Sequence, residues 1–216
     1  MSNTQFSQER FQQAPVVGIL RGVDHETLDR IIPIYINAGF STIEITMNTE
    51  GATEMIQKLC AEYPQLNVGA GTVCDMEGLN KALESGAQFI VTPVTNEEVI
   101  KKCKSLDIPV FPGALTPTEI HKAWTAGATA VKVFPSSQFG IGYIKDVMAP
   151  LNTIPLLPTG GVDLNNIADF FQLGVVGVGM GSSLFPKQFM AKGYEQQLYD
   201  HLKAVKSAYE SAFQTA

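Results

Sequence analysis

Ala130-Val131-Lys132-Val133-Phe134-Pro135-Ser136-Ser137-Gln138-Phe139-Gly140 is a short apolar run interrupted by one lysine. In an extended strand successive side chains face opposite ways, so Val131 and Val133 turn to one side and Lys132 to the other. With the valines packed under helices, the lysine points inward. Pro135 cannot donate to a sheet ladder, and with the serine pair and Gly140 it marks the strand's carboxyl end. An amine held among apolar residues is costly to keep charged, which lowers its pKa from about 10.4. The neutral amine is a nucleophile suited to forming a Schiff base with a carbonyl compound.

On both sides of this stretch the chain repeats one pattern. Strands are expected over 16–21, 41–46, 67–73, 89–93, 109–113, the lysine stretch, 155–161 and 175–179. Helices are expected over 24–38, 50–62, 75–85, 96–105, 116–126, 140–149, from Asp163 onward, and over 187–213. Glycine or proline follows each helix but the last, as a C-terminal stop should. Eight strand–helix units at a period of about 25 residues predict parallel strands joined by crossover helices, and eight is the number that closes a ring. The expected fold is an α/β (β/α)8 TIM barrel. An open doubly wound sheet would alternate in the same way, but the early GxGxxG of that fold is missing. Phe6 and Phe11 lie among polar residues, so a short amphipathic helix over 2–13 is expected to cover one end of the core.

The 216 residues suffice for one sizeable core, so residues 1–216 are read as a single domain with 1–14 as an N-terminal helical extension. Hydrophobic residues make up 45% and charged residues 17%, a globular composition. The net charge of −6, with no run of Lys or Arg, recommends no nucleic acid and no anionic membrane as partner. Cys60, Cys74 and Cys103 are odd in number and lack CxxC spacing, which reads as reduced thiols in a cytoplasmic protein. The polar N-terminus is no secretory signal, and no apolar run approaches the roughly 20 residues of a membrane span.

In the expected architecture, active sites collect where strands end and the following loops begin. The isoleucines of Ile43-Glu44-Ile45 take the helix side, which turns Glu44 into the same interior as Lys132. A carboxyl beside an amine can exchange protons during carbinolamine formation, dehydration and carbon–carbon cleavage. A buried ion pair without chemistry is the competing reading. Arg21 can clamp a carboxylate with its planar fork, and Thr72, near Gly69 and Gly71, can add a hydroxyl or simply be a strand-end residue. Thr159-Gly160-Gly161 and Gly179-Met180-Gly181-Ser182-Ser183 follow the last two strands, where backbone N–H groups and a short helix's N-terminus can cradle a phosphate. Ser136 and Ser137 could cap the sixth helix or touch substrate hydroxyls. His25, His121 and His201 are scattered without metal-ligand spacing and read as surface residues, so no metal is expected.

Taken in order, Ile19-Leu-Arg21, Ile43-Glu-Ile45, Val68-Gly-Ala-Gly-Thr-Val73, Val91-Thr-Pro93, Phe111-Pro-Gly113, Val131-Lys-Val-Phe-Pro135, Pro158-Thr-Gly-Gly161 and Gly179-Met-Gly-Ser182 resemble the 2-keto-3-deoxy-6-phosphogluconate (KDPG) aldolase family along nearly the whole chain. The resemblance implies a class I aldolase without metal or other cofactor, cleaving 2-keto-3-deoxy-6-phosphogluconate, or alternatively the galactonate epimer, to pyruvate and glyceraldehyde 3-phosphate. It implies Lys132 as the Schiff-base lysine and Glu44 as general acid/base. Arg21 and Thr72 would handle the pyruvyl carboxylate, Pro93 and Phe134 would shape the pocket, and Gly160, Gly161, Gly181 and Ser182 would hold the phosphate. Family members are typically homotrimers, and some also cleave 4-hydroxy-2-oxoglutarate. Where the gluconate enzymes usually read Leu-Arg-Thr-Glu, this chain reads Met47-Asn48-Thr49-Glu50, so Asn48 takes the substrate-binding place of an arginine and resembles the galactonate branch. An amide cannot replace a charged fork at a carboxylate, which leaves Arg21 alone at that contact or the substrate oriented differently. Two other readings stand beside the aldolase: a phosphosugar isomerase or epimerase needing no imine, and a non-catalytic phosphosugar binder using the two glycine loops.

Overall fold

A computed structural model describes residues 5–213. Parallel strands alternate with helices: β1 (Val16–Leu20), α2 (His25–Asn37), β2 (Thr42–Thr46), α3 (Ala52–Glu62), β3 (Asn67–Gly71), α4 (Met76–Glu84), β4 (Phe89–Val91), α5 (Glu97–Ser105), β5 (Val110–Phe111), β6 (Gly113–Ala114), α6 (Pro117–Ala126), β7 (Val131–Val133), α7 (Gly140–Met148), β8 (Leu156–Pro158), α8 (Ile167–Gln172), β9 (Val178–Met180) and α9 (Glu195–Ser211), preceded by α1 (Gln8–Gln13). The α/β class and the parallel pairing are borne out. The strands fall into two sheets, of order β5-β4-β3-β2-β1-β9 and β6-β7-β8, rather than one ladder of eight. Pro112, which has no N–H to give, divides the fifth expected strand into β5 and β6. A parallel bridge pairs Thr159, just after β8, with Gly179 of β9.

Helix starts follow their caps. The side chains of Asp24, Asp75 and Asn96 accept from backbone N–H groups of the first turn, and Thr116 with Glu119 forms a reciprocal capping box. Two helices depart from the expected bounds. Asp163 does not open α8: its carboxylate accepts from Asn165 N while its own N–H donates to Asn166 Oδ1, a side-chain turn that postpones the helix to Ile167. The last helix begins at Glu195 instead of 187, because Pro186 and Gly193 hold the preceding segment in turns.

Burial sorts the strand side chains by face. Val131, Val133, Ile43 and Ile45 join the large cluster packed under the helices. A second cluster gathers Phe11, Val17, Phe89, Val91, Phe111, Ala130 and Leu157 on the opposite face, with Phe6 packed against it. The N-terminal segment thus supplies aromatic rings to the inner core, and buried Asn67 fixes it by accepting from Ser7 N and donating to Ser7 O. The expected helix over 2–13 is seen from Gln8, and residues 2–4 lie outside the described residues. No helix among the described residues is long and apolar enough to cross a membrane.

Candidate active site

Val17 and Ile19 of β1, Glu44 of β2, Val91 of β4, Phe111 of β5, Lys132 of β7, Leu157 of β8 and Gly179 of β9, with Thr159, line one narrow gap, so both sheets present inner side chains to it. Strand periodicity brings Lys132 and Glu44 there, each between two aliphatic residues that take the helix side. Lys132 is 5% exposed and Glu44 1%. Lys132 is in no salt bridge among the described residues. Its Nζ stands 4.9 Å from the centroid of the Phe134 ring, and Glu44 Oε2 is buried without a hydrogen-bond partner. The pair is therefore not a closed structural ion pair, and a buried carboxylate oxygen left unmatched is costly.

Desolvation dominates both groups. It pushes the Glu44 carboxyl up, against the opposing pull of Lys132 and Arg21. It pulls the Lys132 amine down, helped by the positive Arg21 and opposed by Glu44. Both shifts favour neutral forms, an amine with a free lone pair and a carboxyl with a proton to give. Room for the carboxyl comes from Gly71, where a Cβ would overlap Glu44 Oε1.

The gap opens into a cleft of about 730 Å³ at the strand carboxyl ends. Arg21, Phe134, Gly160, Gly161, Gly181 and Ser182 all line it, and Ile19, Thr159 and Gly179 line both spaces. Gly160 and Gly161 have φ of 88° and 78°, the left-handed region that suits glycine, and a Cβ on Gly161 would come 2.7 Å from Ser137 Cα. The segment after β9 is a hydrogen-bonded turn, Phe185 N donating to Gly181 O at 2.9 Å, in place of the expected short helix.

Three expected site residues line neither space. Thr72, just past β3, has φ 60°, an unusual conformation for a β-branched residue. Pro93 lies two residues beyond β4, its backbone packed against Gly113. Asn48 is exposed in the turn after β2. Ser136 does not cap α7, whose N-cap is Phe139; its hydroxyl instead donates to the carbonyls of Thr159 and Gly160. His201 is half-buried against the Ser183 carbonyl at 2.8 Å, not a surface residue as expected. Lys187 also lines the cleft and was not anticipated, since its segment reads as helix; the Pro186 before it was the available signal of a turn. No cluster of three or more His, Cys, Asp or Glu suited to a metal occurs among the described residues.

An amine and a carboxyl buried together within parallel strands, beneath an open cleft at their carboxyl ends, place the molecule among α/β enzymes. The family profile described as "Aldolase: KDPG and KHG aldolase" matches residues 7–200. The chain is 35% identical over 196 residues, 90% of its length and 96% of the relative's, to the 2-dehydro-3-deoxy-6-phosphogalactonate aldolase of Escherichia coli K12. It is 36% identical over 164 residues, 74% of its length and 77% of the relative's, to the 2-dehydro-3-deoxy-phosphogluconate aldolase of Haemophilus influenzae. A solved structure described as "Native KDPGal structure" superposes with TM-score 0.87 at 33% identity, covering 97% of this chain and 99% of that one. The chain belongs to the KDPG and KHG aldolase family, and is a carbon–carbon lyase.

Proposed function

We propose that the protein is a Schiff-base aldolase that cleaves a 2-keto-3-deoxy-6-phospho sugar acid to pyruvate and glyceraldehyde 3-phosphate. The observation that carries this reading is the burial of Lys132 and Glu44 around one gap without an ion pair between them. The neutral Lys132 amine attacks the C2 ketone, and the Glu44 carboxyl gives its proton to the departing water as the carbinolamine becomes an imine. Glu44, now a carboxylate, takes the proton of the C4 hydroxyl. The C3–C4 bond breaks, its electrons pass into the enamine, and glyceraldehyde 3-phosphate leaves. Protonation at C3 and addition of water to the imine then release pyruvate and restore the amine.

Arg21 holds the carboxylate from the cleft side, with Phe134 shaping the pocket beside the amine. Gly160, Gly161, Gly181 and Ser182 take the phosphate through backbone N–H groups and a hydroxyl, and Lys187 adds a positive charge on the same cleft. Thr72, Pro93 and Asn48 would reach substrate from the rim. The two sheets would act as one (β/α)8 barrel, with β5 and β6 as halves of one strand and the Thr159–Gly179 bridge as closure. Residues 1–216 would form one domain, working as a homotrimer in the cytoplasm with no nucleic acid or membrane partner and no cofactor. Of the two epimers the galactonate is favoured over the gluconate by Asn48, uncharged where the gluconate pattern carries arginine.

Sodium borohydride with pyruvate is expected to attach a reduced adduct to Lys132, read by peptide mass spectrometry. Full turnover by Lys132→Ala would instead support an isomerase or epimerase. Retro-aldol assays of both epimers, coupled to pyruvate detection, decide between them.

A further inference from the structure

Arg21 is exposed just past β1, and its guanidinium forms no ion pair or hydrogen bond among the described residues, so apart from its longer-range attraction to Glu44 its backbone fixes where it stands. The next residue, Gly22, turns the chain with φ 63°, and nothing lies within 4 Å of where its Cβ would be. A buried side chain ties this turn down: the Gly22 N–H donates to Thr49 Oγ1 at 2.9 Å. Thr49 is itself held, its N–H donating to Thr46 O at 2.8 Å and its hydroxyl pairing with that of Thr46 at 3.0 Å. Both hydroxyls are buried, at 0% exposure for Thr46 and 5% for Thr49. A hydroxyl has one proton and two lone pairs, so Thr49 can accept from Gly22 and still exchange a bond with Thr46.

Thr46 is two residues beyond Glu44 on β2, so the two share a strand face. We propose that the Thr46–Thr49 hydroxyl pair is a latch that positions Arg21 relative to Glu44 and thereby sets affinity for the keto-acid carboxylate. Thr49 is a positioning residue: it reaches the substrate only through the β1–α2 loop. This rests on the reading of Arg21 as the carboxylate contact. The cation has no hydrogen-bonded or ion-paired side chain among the described residues to restore its place if the loop shifts, so loss of the latch weakens carboxylate binding while the Lys132–Glu44 chemistry at saturation is kept.

The test compares Thr49→Val, which keeps shape and removes the hydroxyl, with Thr49→Ser, which keeps the hydroxyl, in the full chain. The readouts are the pyruvate concentration that half-saturates borohydride trapping at Lys132, and KM and kcat in the retro-aldol assay. Thr49→Val is expected to raise half-saturation and KM about tenfold, the size of one lost hydrogen bond, with kcat within about twofold. Thr49→Ser is expected to restore both, and Thr49→Val added to Arg21→Ala to cost nothing further. Should Thr49→Val fold poorly, Thr46→Val carries the same expectation. An unchanged half-saturation in Thr49→Val beside a raised one in Arg21→Ala overturns the latch alone, as does a Thr49→Ser variant as impaired as Thr49→Val. An Arg21→Ala variant with unchanged half-saturation overturns the carboxylate reading and the latch together.

Discussion

Lys132 and Glu44 were legible from three-residue patterns, because period-2 alternation leaves a polar residue between two aliphatics only one side to take. Their separation, and the unmatched Glu44 Oε2, were not, since no local rule sets a distance between strands far apart in sequence. The energetic consequence is a stability cost with a defined pH sense. The Lys132 pKa is lowered on folding, so between its folded and unfolded values the unfolded chain binds the extra proton and stability rises with pH. Below that window the cost is fully present, and above about pH 10.4 it vanishes. Lys132→Met, which replaces a buried polar group with an apolar one of similar length, is therefore expected to abolish pyruvate trapping while raising Tm. The gain should be about 2–4 °C at pH 7 and smaller at pH 10, measured by thermal melts at both. Glu44→Gln keeps the shape and removes the exchangeable proton, so kcat should fall by about 10²–10⁴ with the fold intact, read by steady-state assay and circular dichroism.

Helix starts were the most legible elements, because Asp24, Asp75, Asn96 and Thr116 cap within a few residues of themselves. The misplaced start at Asp163 shows the limit of that signal, since an Asp with Asn two and three residues on can close a turn on itself instead of opening a helix. The N-terminal element was read as a cover, and its rings prove continuous with the active gap. Phe6 packs on Phe89 at 5.5 Å and Phe11 on Phe111 at 6.0 Å between ring centroids, and Phe111 in turn lines the space around Lys132. Phe11→Ala should cost about 3–4 kcal/mol, measured by urea unfolding. By admitting water beneath the amine it should also weaken desolvation, the leading cause of the lowered Lys132 pKa. The pH midpoint of pyruvate trapping is then expected to move up, with trapping recovered at higher pH.

At the scale of the molecule, the strand–helix alternation was legible from the repeat, whereas the strand count and the division into two sheets were not: eight strands were expected and nine are seen, because both depend on where ladders break, as at Pro112. Ser136 is the hinge of that organisation on the side of β7. Buried at 1% exposure, it donates its N–H to Thr159 O at 3.0 Å, while its one hydroxyl proton is shared between Thr159 O at 3.1 Å and Gly160 O at 2.6 Å. These bonds tie the end of β7 to the segment whose bridge with Gly179 links the second sheet to the first. Ser136→Ala keeps the backbone bond but removes the clamp on the Gly160 carbonyl, at an expected cost of about 1–2 kcal/mol in stability. Because Gly160 and Gly161 line the cleft while Lys132 stands below it, the kinetic effect should be confined to the phosphate end. KM for the phosphorylated sugar acid is expected to rise several-fold while pyruvate half-saturation in borohydride trapping stays unchanged. Equal losses in both measurements would mean that the seam between the sheets also sets the geometry of the amine.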